Sequence, residues 1–253
     1  LSETLNPPRL LFLVNDAFSP PGVLLEEAET QGATSDVRQI HFGMGNAAMN
    51  LQTVPATTDA HDGLVIMGGP MGVYEDARFP FIEQTRSLIR AFHAAEKPVM
   101  GVCLGAQLVA SAFGGKVWKM EGPDEFGFLP QTWERAAAHD PLLHDAERGL
   151  RLFQWHHDTF ELPLHAERLA TRQSCSNQAF RLGDRTYAFQ FHLELTRQAI
   201  ADWTVERARY KKQTPQAVAQ EIGPIDAALA KQMQFARRVM GRWIDLVRSS
   251  RAP

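Results

Sequence analysis

The segment Pro98-Val-Met-Gly-Val-Cys-Leu-Gly-Ala-Gln-Leu-Val-Ala-Ser-Ala-Phe113 changes character at its sixth residue. Pro98–Val102 is a short apolar run of the kind that forms a buried strand, whereas 104–113 has the length and composition of a helix, closed by the capping pair Gly114-Gly115. Cys103 therefore stands in the turn between a strand and a helix. The same alternation recurs upstream. Gly63-Leu-Val-Ile-Met67 reads as a strand stopped by Gly68-Gly69-Pro70, and 79–96 as a helix with Ile82, Leu88, Ile89 and Phe92 on one face. Arg9–Val14, 23–31 and 36–41 read as strand, helix and strand. Strands alternating with helices at this spacing predict an α/β fold, an open and mostly parallel sheet with helices on both faces, and ligands at the carboxyl ends of its strands.

From Lys116 to His192 the pattern shifts to short strands, among them 116–120, 150–153 and 187–192, which predict an antiparallel extension of the same sheet. After Thr196 the chain reads as helical to its end. Ile225, Leu229, Met233, Ala236, Met240, Trp243 and Val247 recur at three- and four-residue steps, an apolar stripe expected to dock on the preceding part. The expected division is thus residues 9–196 as one domain and 197–253 as a helical extension packed on it.

Composition narrows the function classes. A formal charge of −3 lacks the basic excess of a protein that binds nucleic acid by neutralising phosphates. Two cysteines allow one bridge at most, which suits a reducing compartment. No stretch approaches the roughly 20 apolar residues of a membrane span. The start lacks both the basic region and the apolar run of a signal peptide, so a cytoplasmic protein is expected.

Three constellations carry chemistry. Cys103 lies in Gly101-Val-Cys-Leu-Gly105, where flanking glycines permit a tight turn and the helix amides direct partial positive charge at the sulfur, favouring the thiolate that acts as nucleophile. In Phe189-Gln-Phe-His-Leu-Glu194, alternate side chains of an extended chain share a face, so Glu194 can orient the His192 imidazole while Leu193 points away. Met67-Gly-Gly-Pro-Met-Gly72 leaves backbone N–H groups exposed at a strand end, so Gly69, with Leu104 N–H as second donor, is a candidate oxyanion hole. Cys175 lacks such a turn and reads as structural. Gly43-Met-Gly45 is too short for a nucleotide fingerprint, and Arg207, Arg209, Lys211 and Lys212 read as a solvated helix face. His156, His157 and Asp158 are adjacent residues that rarely converge on one metal, and no metal site is expected.

Together, Val65-Ile-Met-Gly-Gly-Pro-Met-Gly72, Lys97-Pro-Val-Met-Gly-Val-Cys-Leu-Gly-Ala-Gln107 and Gln190-Phe-His-Leu-Glu194 resemble the class I glutamine amidotransferase domain, closest by motif to its GMP-synthetase type. The resemblance runs from about residue 9 to 196. It implies a flavodoxin-like fold and a Cys103–His192–Glu194 triad. Cys103 would attack the glutamine side-chain amide, forming a γ-glutamyl thioester and releasing ammonia, and water would then release glutamate. No cofactor is implied. The resemblance also assigns Gln107 to the α-amino and α-carboxyl end of the substrate. It matches Trp155-His-His-Asp158 to the S-H-G-D stretch that closes over glutamine, and Glu125-Phe-Gly127 to an E-F-G motif. Met71 joins the expected substrate contacts. Leu193, Ala106 and His157 depart from the family pattern, and His157 puts an imidazole where glycine is typical.

No P-loop and no length for a synthetase follow, so either a synthetase subunit in trans would take the ammonia or the protein would work alone. A γ-glutamyl peptidase acting on glutathione-like substrates shares the thioester mechanism and is the alternative. A catalytically silent binding or regulatory module would have no need of all three triad residues.

Overall fold

The computed structural model describes residues 6–41 and 52–251. The elements run β1 (Arg9–Val14), α1 (Gly22–Thr30), β2 (Thr34–Gln39), β3 (Gly63–Ile66), α2 (Phe81–Ala94), β4 (Val99–Val102), α3 (Leu104–Ala112), β5 (Val117–Lys119), β6 (Glu125–Pro130), β7 (Thr132–Trp133), β8 (Arg151–His156), β9 (Asp158–Phe160), β10 (Glu167–Thr171), β11 (Ala179–Leu182), β12 (Thr186–Phe189), α4 (Arg197–Lys211), α5 (Pro215–Ile222) and α6 (Asp226–Ser250). Gly43-Met-Gly45 lies outside the described residues.

The main sheet has the strand order β2-β1-β3-β4-β12-β11-β10-β7. Its first five strands pair in parallel and its last three are joined to them antiparallel. Strands β1, β3, β4 and β12 are apolar and buried on both faces, as strands sandwiched between helix layers must be. One face carries the core shared with α1 and α6, and the other the core shared with α2 and α3. The edge strand β2 is only half-buried and correspondingly polar.

Of two expectations about the second half, one holds in part and one is corrected. The segment at 187–192 does begin the expected antiparallel extension, since β12 pairs antiparallel with β11, but β12 itself also lies beside β4 and runs parallel to it, placing its carboxyl end next to Cys103. The strands predicted at 116–120 and 150–153 do not extend the main sheet. They belong to two separate antiparallel ribbons, β5–β9 and β6–β8. Short strands separated by turns do not reveal which edge they join, because pairing is set by tertiary packing.

The predicted stripe 225–247 falls on α6, whose Trp243, Ile244 and Val247 are fully buried against the sheet. A Cβ at Gly63 would sit 2.7 Å from the Trp243 ring, so the close approach of α6 to β3 requires glycine there. Helices α4 and α5 start on threonine caps, Thr196 Oγ1 accepting from Ala199 N–H and Thr214 Oγ1 from Ala217 N–H. They pack with the β6–β8 ribbon in a third apolar cluster around Phe153, Phe126 and Trp203. Among the described residues no helix is long and apolar enough to cross a membrane.

Candidate active site

Chain order in the sheet reverses between β1, whose successor β2 lies on one side, and β3, which lies on the other; a crevice opens at such a switch, outside the carboxyl ends of the strands. The chain leaving β1, β3, β4 and β12 converges there, and lines a cavity of about 930 Å³ that contains Cys103 and His192.

Cys103 is buried, with φ 52° and ψ −108°, a left-handed backbone that L-residues rarely adopt. The surroundings enforce it. Cys103 N–H donates to Phe189 O at 2.8 Å, fixing the turn to the end of β12. A Cβ at Gly101 would lie 2.4 Å from Gly105 O, and one at Gly105 would lie 2.2 Å from Ile66 O. Only glycine at both positions lets α3 start this close to β4 and β3, which is the strained strand-to-helix elbow that presents a nucleophile.

His192 and Glu194 lie beyond the end of β12, held not by a strand ladder but by two tethers. His192 N–H donates to Phe153 O and Glu194 O accepts from Val23 N–H, each at 2.9 Å. His192 Nδ1 and Glu194 Oε1 are 2.7 Å apart and both side chains are buried, whereas Leu193 turns into the core behind them. Burial alone would push the imidazole pKa down. The Glu194 carboxylate and the Cys103 sulfur outweigh it and raise it to about 10. His192 Nε2 has no hydrogen-bond partner of good geometry among the described residues. Both groups border the same small space: a Cβ built on Gly68 would be 3.4 Å from His192 Cε1 and 3.6 Å from Cys103 Cβ.

Gly69 also lines the cavity. Asn15 Nδ2 donates to Met67 O at 2.8 Å and fixes the entry to the Gly68-Gly69 turn. The N–H groups of Gly69 and Leu104 take part in no backbone hydrogen bond among the described residues, and Leu104 is the first residue of α3. These donors meet the chemical requirement for stabilising an oxyanion.

The remaining predicted residues separate. Met71, Gln107, His157 and Asp158 line the cavity with His156. Gln107 Nε2 donates to the buried Gln190 Oε1 at 3.2 Å. His156 is mostly engaged elsewhere, its Nε2 3.0 Å from Glu125 Oε2 and its Nδ1 3.0 Å from Asp158 O. Glu125 also accepts from Arg172, Gln178 and Ser174; its burial would raise its carboxyl, but His156 foremost, then Ser174 and Arg172, hold it down at about 2.

Cys175, Glu125 and His156 offer potential ligand atoms within 4.8 Å of one another, a grouping that sequence spacing does not reveal. The Glu125 oxygens are already occupied by hydrogen-bond donors, Arg172 among them, and burial pushes the Cys175 thiol up, so the donor set does not suit a metal.

One reading is overturned in part, for Arg209, Lys211 and Lys212 are exposed as expected and Arg207 is not. Arg207 is not on a solvated face: it is 3% exposed, paired with Asp124 and Glu221, and its guanidinium lies 3.6 Å over the Phe126 ring. Lys211 joins the Asp124 pair and Arg209 pairs with Glu206. The cavity also gains residues that motif reasoning missed. Asp16, Phe18 and Ser19 follow β1, and their position at a strand end was the available signal. Trp203, Glu206 and Tyr210 come from α4, and no sequence pattern pointed to them.

A family model described as glutamine amidotransferase class-I matches residues 25–203. The glutamine amidotransferase-like protein YfeJ of Salmonella typhimurium is 30% identical over 76% of this chain and 78% of its own length. A glutamine-hydrolysing GMP synthase subunit of Natronomonas pharaonis is 30% identical over 66% of this chain and 84% of its own length. Gamma-glutamyl peptidase 3 of Arabidopsis thaliana is 28% identical over 56% of this chain and 58% of its own length. A crystal structure of a glutamine amidotransferase from Methylobacillus flagellatus superposes with a TM-score of 0.75 at 26% identity, covering 96% of both chains.

Proposed function

Because the chain belongs to the class I glutamine amidotransferase family, we propose that it hydrolyses a γ-glutamyl amide, glutamine being the simplest, through a thioester on Cys103. The observation that carries this reading is the strained Cys103 at the start of α3, bordering the same space as the His192–Glu194 pair. Cys103 Sγ, as thiolate, attacks the amide carbonyl carbon. The developing oxyanion takes the Gly69 and Leu104 N–H groups. The C–N bond breaks as His192 gives its Nε2 proton to the departing nitrogen. His192, now neutral, accepts a proton from water, which attacks the thioester carbonyl. The C–S bond breaks and glutamate leaves, restoring the thiolate and the imidazolium. Gln107, Met71 and the His156–Asp158 segment would hold the glutamyl end of the substrate.

Similarity to a glutamine-hydrolysing GMP synthase subunit over 84% of its length favours a second reading, in which the ammonia passes to a synthetase subunit in trans. The two readings share the first half-reaction. Glutamate release from glutamine and from a γ-glutamyl dipeptide, each compared between wild type and Cys103→Ala, tests that half-reaction. Release of glutamate from neither, with Cys103 left unmodified, would overturn it.

A further inference from the structure

The catalytic cavity has two unlike walls. One, on the side of Gln107, carries Met71, Tyr74, His157, Asp158 and Lys119. The other is made by the loop after β1 and by α4. The proposed reaction distinguishes them. In it His192 delivers a proton to the departing nitrogen, so whatever extends from that nitrogen lies on the His192 side. The His192 ring packs edge-on against Trp203, with centroids 4.5 Å apart. Trp203 Nε1 donates to Phe18 O, and Phe18 N–H donates to Asp16 Oδ2 at 3.3 Å. Glu206 and Tyr210 follow Trp203 by one and two helical turns and also line the cavity.

This wall has a definite chemistry. Asp16 is only 7% exposed yet lines the cavity, and it makes no ion pair among the described residues. Glu206, nearby, is already paired with Arg209, which lines the same wall, so the two charges offset each other and Asp16 alone is left over. The wall therefore holds an unmatched carboxylate beside three aromatic side chains, Phe18, Trp203 and Tyr210, a combination that suits an ammonium group through charge and cation–π attraction. Burial, with a smaller contribution from the Glu206 charge, raises the Asp16 carboxyl to about 6. A cation beside it would relieve that cost. A carboxylate in the same place would add to it. The cavity volume is also within the range, roughly 300–1,000 Å³, that accommodates ligands far larger than a free amino acid.

We infer that the preferred substrate is a γ-glutamyl amide of an amine bearing a second, cationic amino group, with that group held by Asp16 against the Phe18, Trp203 and Tyr210 wall. This rests on the reaction proposed above, and it names the leaving group. Bond changes are those already given, with the diamine taking the proton from His192 in place of ammonia.

The test uses the full-length Cys103→Ala protein, which binds without turnover, titrated calorimetrically with γ-glutamyl-putrescine and with γ-glutamyl-pentylamine, its neutral counterpart of matching length. The expected result is at least about tenfold tighter binding of the cationic amide, the size of one charge-assisted hydrogen bond. Adding Asp16→Asn should bring the two within about twofold, and Glu206→Gln should narrow the gap less, because its charge is already matched. Equal binding of the two amides to the Cys103→Ala protein, or a preference for the neutral one, would overturn the inference. The reaction is judged separately in wild type: cleavage of the pentylamide with acylation of Cys103 upholds the reaction even where the diamine preference fails.

Discussion

The backbone of Cys103 is held at a conformation that costs about 1–3 kcal/mol, and such strain persists only where surrounding contacts enforce it. The consequence is a sulfur presented to the cavity beside His192, whereas Cys175 is buried against Thr159 with a raised thiol pKa. A glutamine-like electrophile should therefore label Cys103 alone, as read by peptide mass mapping. Cys175→Ser should retain wild-type turnover. The His192–Glu194 pair makes a second prediction. The imidazolium is available below about pH 10 and is lost as pH rises through that value, so kcat should fall on the alkaline side there. Glu194→Gln keeps a hydrogen-bonding side chain but removes one of the two anions that hold the proton. It should lower kcat by roughly 10²–10⁴ and move the alkaline limb down toward the ordinary imidazole range near 6.5. A pH–rate profile with an unmoved limb would assign the proton elsewhere.

At the scale of elements, glycine and charge decide how closely the pieces approach. Gly105→Ala forces its Cβ into Ile66 O on β3, so α3 must shift. Both thermal stability and Cys103 labelling rate should fall, and an unchanged labelling rate would mean that the elbow tolerates the shift. The Arg207 pair ties α4 to Asp124, just before β6. Arg207→Ala leaves a buried carboxylate with only Lys211 beside it, and should cost about 3–5 kcal/mol, a drop of roughly 10 °C or more in Tm. Glu125 sets a pH dependence of the opposite sign to that of His192. Its carboxyl is held at about 2 in the folded chain against an ordinary value near 4.5, so its contribution is present above about pH 4.5 and fades as pH falls through 2. Glu125→Gln should flatten that part of the acid unfolding curve. The parallel half of the fold is legible in the sequence because its buried strands are continuous apolar runs punctuated by glycine, as in 63–68 and 98–105. The ribbons are not, because β5, β6, β8 and β9 are short and their partners are distant in sequence.

Across the whole molecule, the catalytic candidates come from one end of the parallel sheet and the second cavity wall from α4, beyond it. That division explains what the sequence discloses of the site. Cys103, Gly69, His192 and Glu194 sit in turns whose residue types are dictated locally, so each leaves a motif. Trp203, Glu206 and Tyr210 join the site only through tertiary packing, and nothing in their local spacing marks them, whereas Asp16 has only its place after a strand end to mark it. Arg207 misleads for the same reason: a basic residue on a helix looks solvated until its partners Asp124 and Glu221 are located. The central claim is that the chain breaks a γ-glutamyl amide through a covalent thioester at Cys103. The measurement that tests it most directly is to mix the protein with glutamine and, in parallel, with a γ-glutamyl amide, quench in acid within one turnover, and map any adduct by mass spectrometry. A γ-glutamyl group on the Cys103 peptide, absent from Cys103→Ala and accumulating before glutamate appears, is the predicted result. Glutamate release that persists in Cys103→Ala, or an adduct on another residue, would contradict it.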